Sequence, residues 1–256
     1  MTYRSILADC AHRPYPLAVR PHVGYFSWRD LLFAHWPVAS AEVQAQLPAA
    51  LTLDTFAGAA WLSVVPFRMA NLRPRFAPAV PGLSWFPELN LRTYVRMGDR
   101  LGIYFFSLDA SSRLGVALAR RFFHLPYFRA RMAVRQEASG AHRFDSHRTH
   151  PAAPPAVFSA TYRSLGTPVD APPGSLAAWL TERYFFASVD GQGRPIACQV
   201  HHRRWPLQAA TAQFRTNTLA QAAGLSPLPA VPALLHFVPR IDVVGWLPAP
   251  EILPPV

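Results

Sequence analysis

Apolar and polar residues alternate along most of this chain in short runs that end at glycine, proline or acidic turns. A period of two over about four to eight residues is the mark of a half-buried strand. Residues 51–56 and 60–68, joined through Ala57-Gly58, read as a hairpin, and residues 88–97 and 102–108, joined through Gly98-Asp99, read as a second. A third pairs residues 184–189 with 194–202 about Asp190-Gly191-Gln192-Gly193. Further strands are expected at 128–134, 158–162, 207–214 and 238–246, and an aromatic segment at 27–36 stops at Pro37. Helical spacing is confined to 40–47, 112–121, 175–183 and 217–223, where the first three open on serine, a good N-cap. Residues 70–87, 145–157 and 164–174 are polar or proline-rich and read as loops.

Strand and helix do not alternate regularly, so parallel βαβ units are not expected. The pattern predicts a β-rich α+β fold, an antiparallel barrel-like sheet with short peripheral helices. It is read as one domain: an N-terminal arm at 1–22, a body at 23–248 and a tail at 249–256.

Composition changes this picture in three ways. There are 27 prolines, which favour many short elements joined by stiff loops. Half the residues are hydrophobic and few are charged, which excludes a disordered chain. Finally, all 25 residues counted as Lys+Arg are arginine. Without lysine there is no Schiff base on a side-chain amine, no internal aldimine and no phosphate-binding loop of the lysine type. The net charge of +11 comes from dispersed arginines, densest at Arg120, Arg121, Arg129, Arg131 and Arg135. No nucleic-acid motif accompanies them, so no specific nucleic-acid partner is expected. Cys10 and Cys198 are too few for a disulfide framework, and Cys198 reads as a core residue. No apolar run is long enough to cross a membrane and no leader-like segment opens the chain, so a cytoplasmic location is expected.

Candidate chemistry concentrates on one strand. With period two, Glu88, Asn90, Arg92, Tyr94 and Arg96 share a face, and Leu89, Leu91, Thr93 and Val95 share the other. That polar face lies either in water or inside a barrel. In the second case it offers an acid, an amide and an anion clamp to a small ligand. Tyr104 on the next strand would add a phenol. His35, in the aromatic segment, is either a packed core histidine or an accessory donor. Asp109, at the end of a strand, either orients a base or caps the helix at 112–121, and the cap is the simpler reading. No metal is expected: His201 and His202 point to opposite faces, and His142, His147 and His150 fit no zinc spacing and lie among arginines. Neither a nucleophile elbow nor a dinucleotide-binding turn is present, and no cofactor is expected.

Several segments in order, Leu31-Leu32-Phe33-Ala34-His35-Trp36-Pro37, Val65-Pro66-Phe67-Arg68-Met69, residues 81–95 from Pro81 through Trp85-Phe86-Pro87-Glu88 to Val95, Phe105-Phe106-Ser107-Leu108-Asp109, and Leu125-Pro126-Tyr127-Phe128-Arg129-Ala130-Arg131-Met132, carry a resemblance. Over residues 22 to 248 the chain resembles the YqjF-like family of uncharacterised bacterial proteins, grouped with the acetoacetate decarboxylase-like superfamily. The resemblance implies a barrel-like sheet with a shielded cavity, and it leaves room for a homo-oligomer. It implies that Glu88 corresponds to the decarboxylases' glutamate and that Tyr127 stands where they carry their lysine. Decarboxylation through an enamine therefore does not carry over. Two readings follow. One is a lysine-independent acid–base enzyme for a small carbonyl or carboxylate compound, with Glu88, Tyr127 and Tyr104 catalytic and Asn90, Arg92, Arg131 and His35 holding the ligand. The other is a non-catalytic small-molecule binding protein using the same residues.

Overall fold

A computed structural model describes residues 3–250. The strands are β1 (Gly24–Val38), β2 (Thr52–Leu53), β3 (Ala60–Pro74), β4 (Phe86–Met97), β5 (Arg100–Ala110), β6 (Tyr127–Gln136) and β7 (His142–Arg148). They continue with β8 (Val157–Val169), β9 (Phe185–Val189), β10 (Pro195–His201), β11 (Leu207–Asn217), β12 (Leu234–Gly245) and β13 (Ala249–Pro250). The helices are α1 (Tyr3–Leu7), α2 (Ser40–Ala45), α3 (Arg113–Phe123), α4 (Leu176–Thr181) and α5 (Leu219–Ala222).

All strands belong to one sheet in the order β13-β10-β9-β5-β6-β7-β8-β11-β12-β1-β3-β4-β2, with further pairings β10–β12 and β5–β4. Those two pairings close the sheet twice. One ring runs β5-β6-β7-β8-β11-β12-β1-β3-β4 and has nine strands; the other runs β12-β10-β9-β5-β4-β3-β1 and has seven. The wall β12-β1-β3-β4-β5 is common to both. Its strands are covered on both sides, so Leu31–Trp36 and Ala60–Phe67 are buried without alternation.

Each ring has its own core. Leu32, Ala34, Val64, Leu89 and Leu91 pack into the nine-strand ring against Phe144, Phe158 and Tyr162. Leu31, Phe33, Val65 and Phe67 pack the opposite way, with Val200, Trp205 and Val238. Helix α4 adds Leu180 to Tyr94, Ile103 and Phe105 at one end of this second core. Ile6 of α1 is fully buried beside Tyr25, Val244 and Trp246, which anchors the N-terminal arm. Of the tail expected at 249–256, residues 249 and 250 form β13 and residues 251–256 lie outside the described residues.

The β-rich, mostly antiparallel architecture agrees with the sequence pattern, but five details differ. Residues 51–56 do not form a hairpin with 60–68: β2 is only Thr52–Leu53 and pairs with β4, β3 pairs with β1 and β4, and Phe56 and Ala59 make an isolated bridge. The loop expected at 145–157 begins inside β7, a strand that hides its alternation because His142, Ser146 and Arg148 face inward with Phe144. β8 runs on to Val169 and β3 to Pro74, well into expected loops. β5, α3 and β6 form a parallel βαβ unit, and β5 also pairs with β9 in parallel, against the expectation of none. Asp109 does not cap α3: Ser112 does, accepting from the Gly115 N–H. Among the described residues, no helix is long and apolar enough to cross a membrane.

Candidate active site on the inner face of β4

Residues Glu88 to Val95 are all buried, so β4 has no solvent face at its centre. Cross-strand registers place its polar row inside the seven-strand ring. Glu88 lies opposite Phe67 and Ala110, Asn90 opposite Val65 and Leu108, and Arg92 opposite Ser63 and Phe105. His35 of β1 is the next residue along that rung, opposite Ser63. Thus Glu88, Asn90, Arg92, Ser63 and His35 line one apolar interior.

Glu88 is 2% exposed. The Tyr127 hydroxyl, at the start of β6, sits 3.2 Å from each carboxylate oxygen and donates to them. Burial raises the carboxyl pKa from 4.5 to about 8, and nearby Asp109 adds to the rise; hydrogen bonds from Tyr127 and Asn90 oppose it without cancelling it. The same burial, with the adjacent Glu88, pushes the Tyr127 phenol well above its ordinary value. Near neutral pH both groups therefore carry protons. Among the described residues Arg92 makes no ion pair with Glu88, and its guanidinium is turned to the Leu180 carbonyl instead.

Arg92 donates from Nη2 to the Leu180 carbonyl of α4 at 3.1 Å and lies 5.0 Å over the Phe33 ring. Its Nε makes no hydrogen bond among the described residues. Nearby carboxylates serve other arginines: Asp54 takes Arg183 at 2.9 Å and Arg96 at 3.4 Å, and Asp109 takes Arg148 at 2.7 Å. Among the described residues Arg92 is thus a buried cation with no acidic partner, an arrangement that favours an anionic ligand.

His35 is fully buried. Its Nδ1 is 2.6 Å from the Ser63 hydroxyl, which is 2.6 Å from the Tyr94 hydroxyl. Burial, then the positive fields of Arg92 and His236, hold His35 well below the usual histidine range, so it is neutral. His35 Nε2 and Asn90 Oδ1 also lack partners among the described residues.

The fold brings five of the seven expected residues onto this interior and leaves two out. Tyr104 pairs with Thr93 and packs by Val95 and Phe185, on the face away from Glu88. A bulge is the cause: the register slips between Leu91 and Arg92, leaving Phe106 unpaired, and a one-residue slip turns over the β5 side chains that precede Phe106, relative to β4. Arg131 is exposed on β6, opposite His147. Ser63, Arg183 and Asp54 were missed. Ser63 was recoverable, since an inward serine in an otherwise apolar run of β3 needs a polar partner; the Asp54–Arg183 pair joins residues 129 apart and leaves no local sign. Two surface pockets, of about 380 and 550 Å³, lie elsewhere and touch none of Glu88, Asn90 or Arg92. Among the described residues, no three His, Cys, Asp or Glu side chains are grouped to hold a metal ion.

Comparison with known proteins places this geometry. An acetoacetate decarboxylase structure superposes with a TM-score of 0.59 at 11% identity, over 99% of this chain and 100% of the other. The enduracididine biosynthesis enzyme MppR, solved with pyruvate, gives 0.57 at 13% identity, over 91% and 93%. At such identities the likeness is one of fold. The uncharacterized protein YqjF of Bacillus subtilis (strain 168) is 45% identical over 220 residues, 86% of this chain and 89% of its own. The DUF2071 pattern, that of an uncharacterized conserved protein, matches residues 25–242 and takes in every site residue from His35 to Arg183, so the chain belongs to that family.

Proposed function

We propose that this protein is an acid–base enzyme for a small compound bearing both a carbonyl and a carboxylate. Protonated Glu88 is its general acid and Arg92 its carboxylate clamp. The observation that carries the reading is the Glu88 carboxyl: buried, bridged by Tyr127 and raised to about 8. A catalytic acid works best with a pKa near the working pH. The chain has no lysine, so carbonyl activation falls to proton donation rather than to an amine adduct. Glu88 donates to the carbonyl oxygen, with the Tyr127 hydroxyl as second donor. Asn90 stands between the acid and the clamp. The Arg92 Nε, without a hydrogen-bond partner among the described residues, supports the clamp, and the likeness to a structure solved with pyruvate supports the substrate class. Access requires α4 to yield, since the Leu180 carbonyl occupies Arg92 Nη2. The test is turnover across a panel of small 2-oxo acids, read by NMR as loss, or as deuterium uptake beside the carbonyl in D2O. Glu88→Gln should lower the rate by about 10²-fold or more; an unchanged rate overturns the assignment.

A second reading, a binding protein that turns nothing over, is favoured by Arg92 alone, because an unpaired buried cation attracts an anion whether or not chemistry follows. A 2-oxo acid that binds the wild type, loses affinity in Arg92→Met and is recovered unaltered after long incubation selects it.

A further inference from the structure

The outer side of the β5–α3–β6 unit concentrates positive charge. A pocket of about 550 Å³ is bordered by Arg113, Arg120 and Arg121 of α3 and by Arg129 of β6 and His150, over a floor of Val116 and Ala117. None of these four arginines is in an ion pair among the described residues, whereas surface arginines such as Arg143, Arg194 and Arg240 each have an aspartate. Two of the group are fixed in place. Arg120 donates from Nη1 to the Tyr127 carbonyl at 2.8 Å and lies 5.7 Å over the Phe128 ring. His150 accepts the Arg129 backbone N–H at Nδ1, 3.2 Å away, which leaves its hydrogen on Nε2 as a donor. Burial first, and then Arg120, Arg129 and Arg148, hold His150 below its ordinary range, so it donates as a neutral ring.

We propose that this pocket is a second binding site, for a phosphate-bearing small molecule. Guanidinium forks match phosphate oxygens two at a time, and four uncompensated cations call for a ligand with more than one negative charge. The volume falls in the range of about 300–1,000 Å³ typical of small-molecule sites. The Val116 and Ala117 floor receives an apolar part. Arg131 and Arg135 carry the charge on along the exposed face of β6 beyond the pocket, so a nucleic-acid strand is the competing occupant that the titration has to separate.

The experiment is calorimetric titration with inorganic pyrophosphate at fixed ionic strength, on the full chain. Saturable one-to-one binding is expected, weakened at least about tenfold in Arg121→Gln/Arg129→Gln. Should that variant not fold, Arg113→Gln/Arg121→Gln, with both changes on the exposed side of α3, decides in its place. Three results overturn the proposal: no saturable binding; equal binding by wild type and variant, which marks an adventitious ion only; or tighter binding of a DNA fragment that pyrophosphate fails to displace, which makes the surface a nucleic-acid site.

Discussion

A carboxyl raised from 4.5 to about 8 in the folded chain is a statement about stability as well as catalysis. The folded state then binds the Glu88 proton more tightly than the unfolded chain does, so stability falls as pH rises. The contribution is fully present below pH 4.5 and is lost as pH climbs through about 8. The separation is about 3.5 units, and each unit is worth about 1.36 kcal/mol, so the whole change is ~5 kcal/mol, of which ~3 kcal/mol has gone by pH 7. Glu88→Gln removes the titration and keeps the shape. Urea unfolding of both proteins from pH 4.5 to 9 should give curves that diverge, with the variant gaining ~5 kcal/mol on the wild type by the alkaline end. Other titrating groups cancel in the difference. A constant offset between the two proteins refutes the raised carboxyl, and with it the general acid.

Tyr127→Phe deletes a hydrogen bond that favours ionised Glu88, so the carboxyl should titrate above its present value of about 8 in a carbon-13 NMR titration; no shift, or a fall, contradicts the contact. Arg148→Met strands the buried Asp109 and should cost ~3–5 kcal/mol in urea unfolding, most of it regained in Asp109→Leu/Arg148→Met; an undiminished loss in the double variant speaks against charge burial as the cause. Gly102→Ala sets a Cβ 2.5 Å from the Phe185 ring across β5 and β9, so thermal unfolding should report a loss of ~1–3 kcal/mol.

Two of the three turn-delimited hairpins, β4–β5 and β9–β10, the serine-capped helices α3 and α4, and the shared face of Glu88, Asn90 and Arg92 were legible in the chain, because each rests on local spacing. The third failed because β2 crosses to pair with β4, a partner that no turn signal beside Ala57-Gly58 reveals. What local spacing does not hold was not legible. Tyr104 turned away because one unpaired residue, Phe106, reversed the parity of β5. β7 looked like loop because its inward residues include two that are polar and an arginine, Arg148, whose partner Asp109 lies 39 residues earlier. The opposing pulls on Glu88, burial against a cation, could not be weighed until Arg92 was seen to bond Leu180.

Every strand of the two rings is hydrogen-bonded on both sides, and among the described residues the sheet ends only at β2 and β13, each two residues long. Unpaired strand edges are the usual templates for fibril growth and for sheet extension between molecules. Closure here is partial along the strands: β6 meets β5 only over Tyr127–Arg129, and β11 meets β12 only at Gln208 and Ala209. Residues 130–136 and 210–217 therefore each keep one side without a ladder among the described residues, and these stretches, rather than the short ends β2 and β13, are where a strand from another molecule would find room to pair.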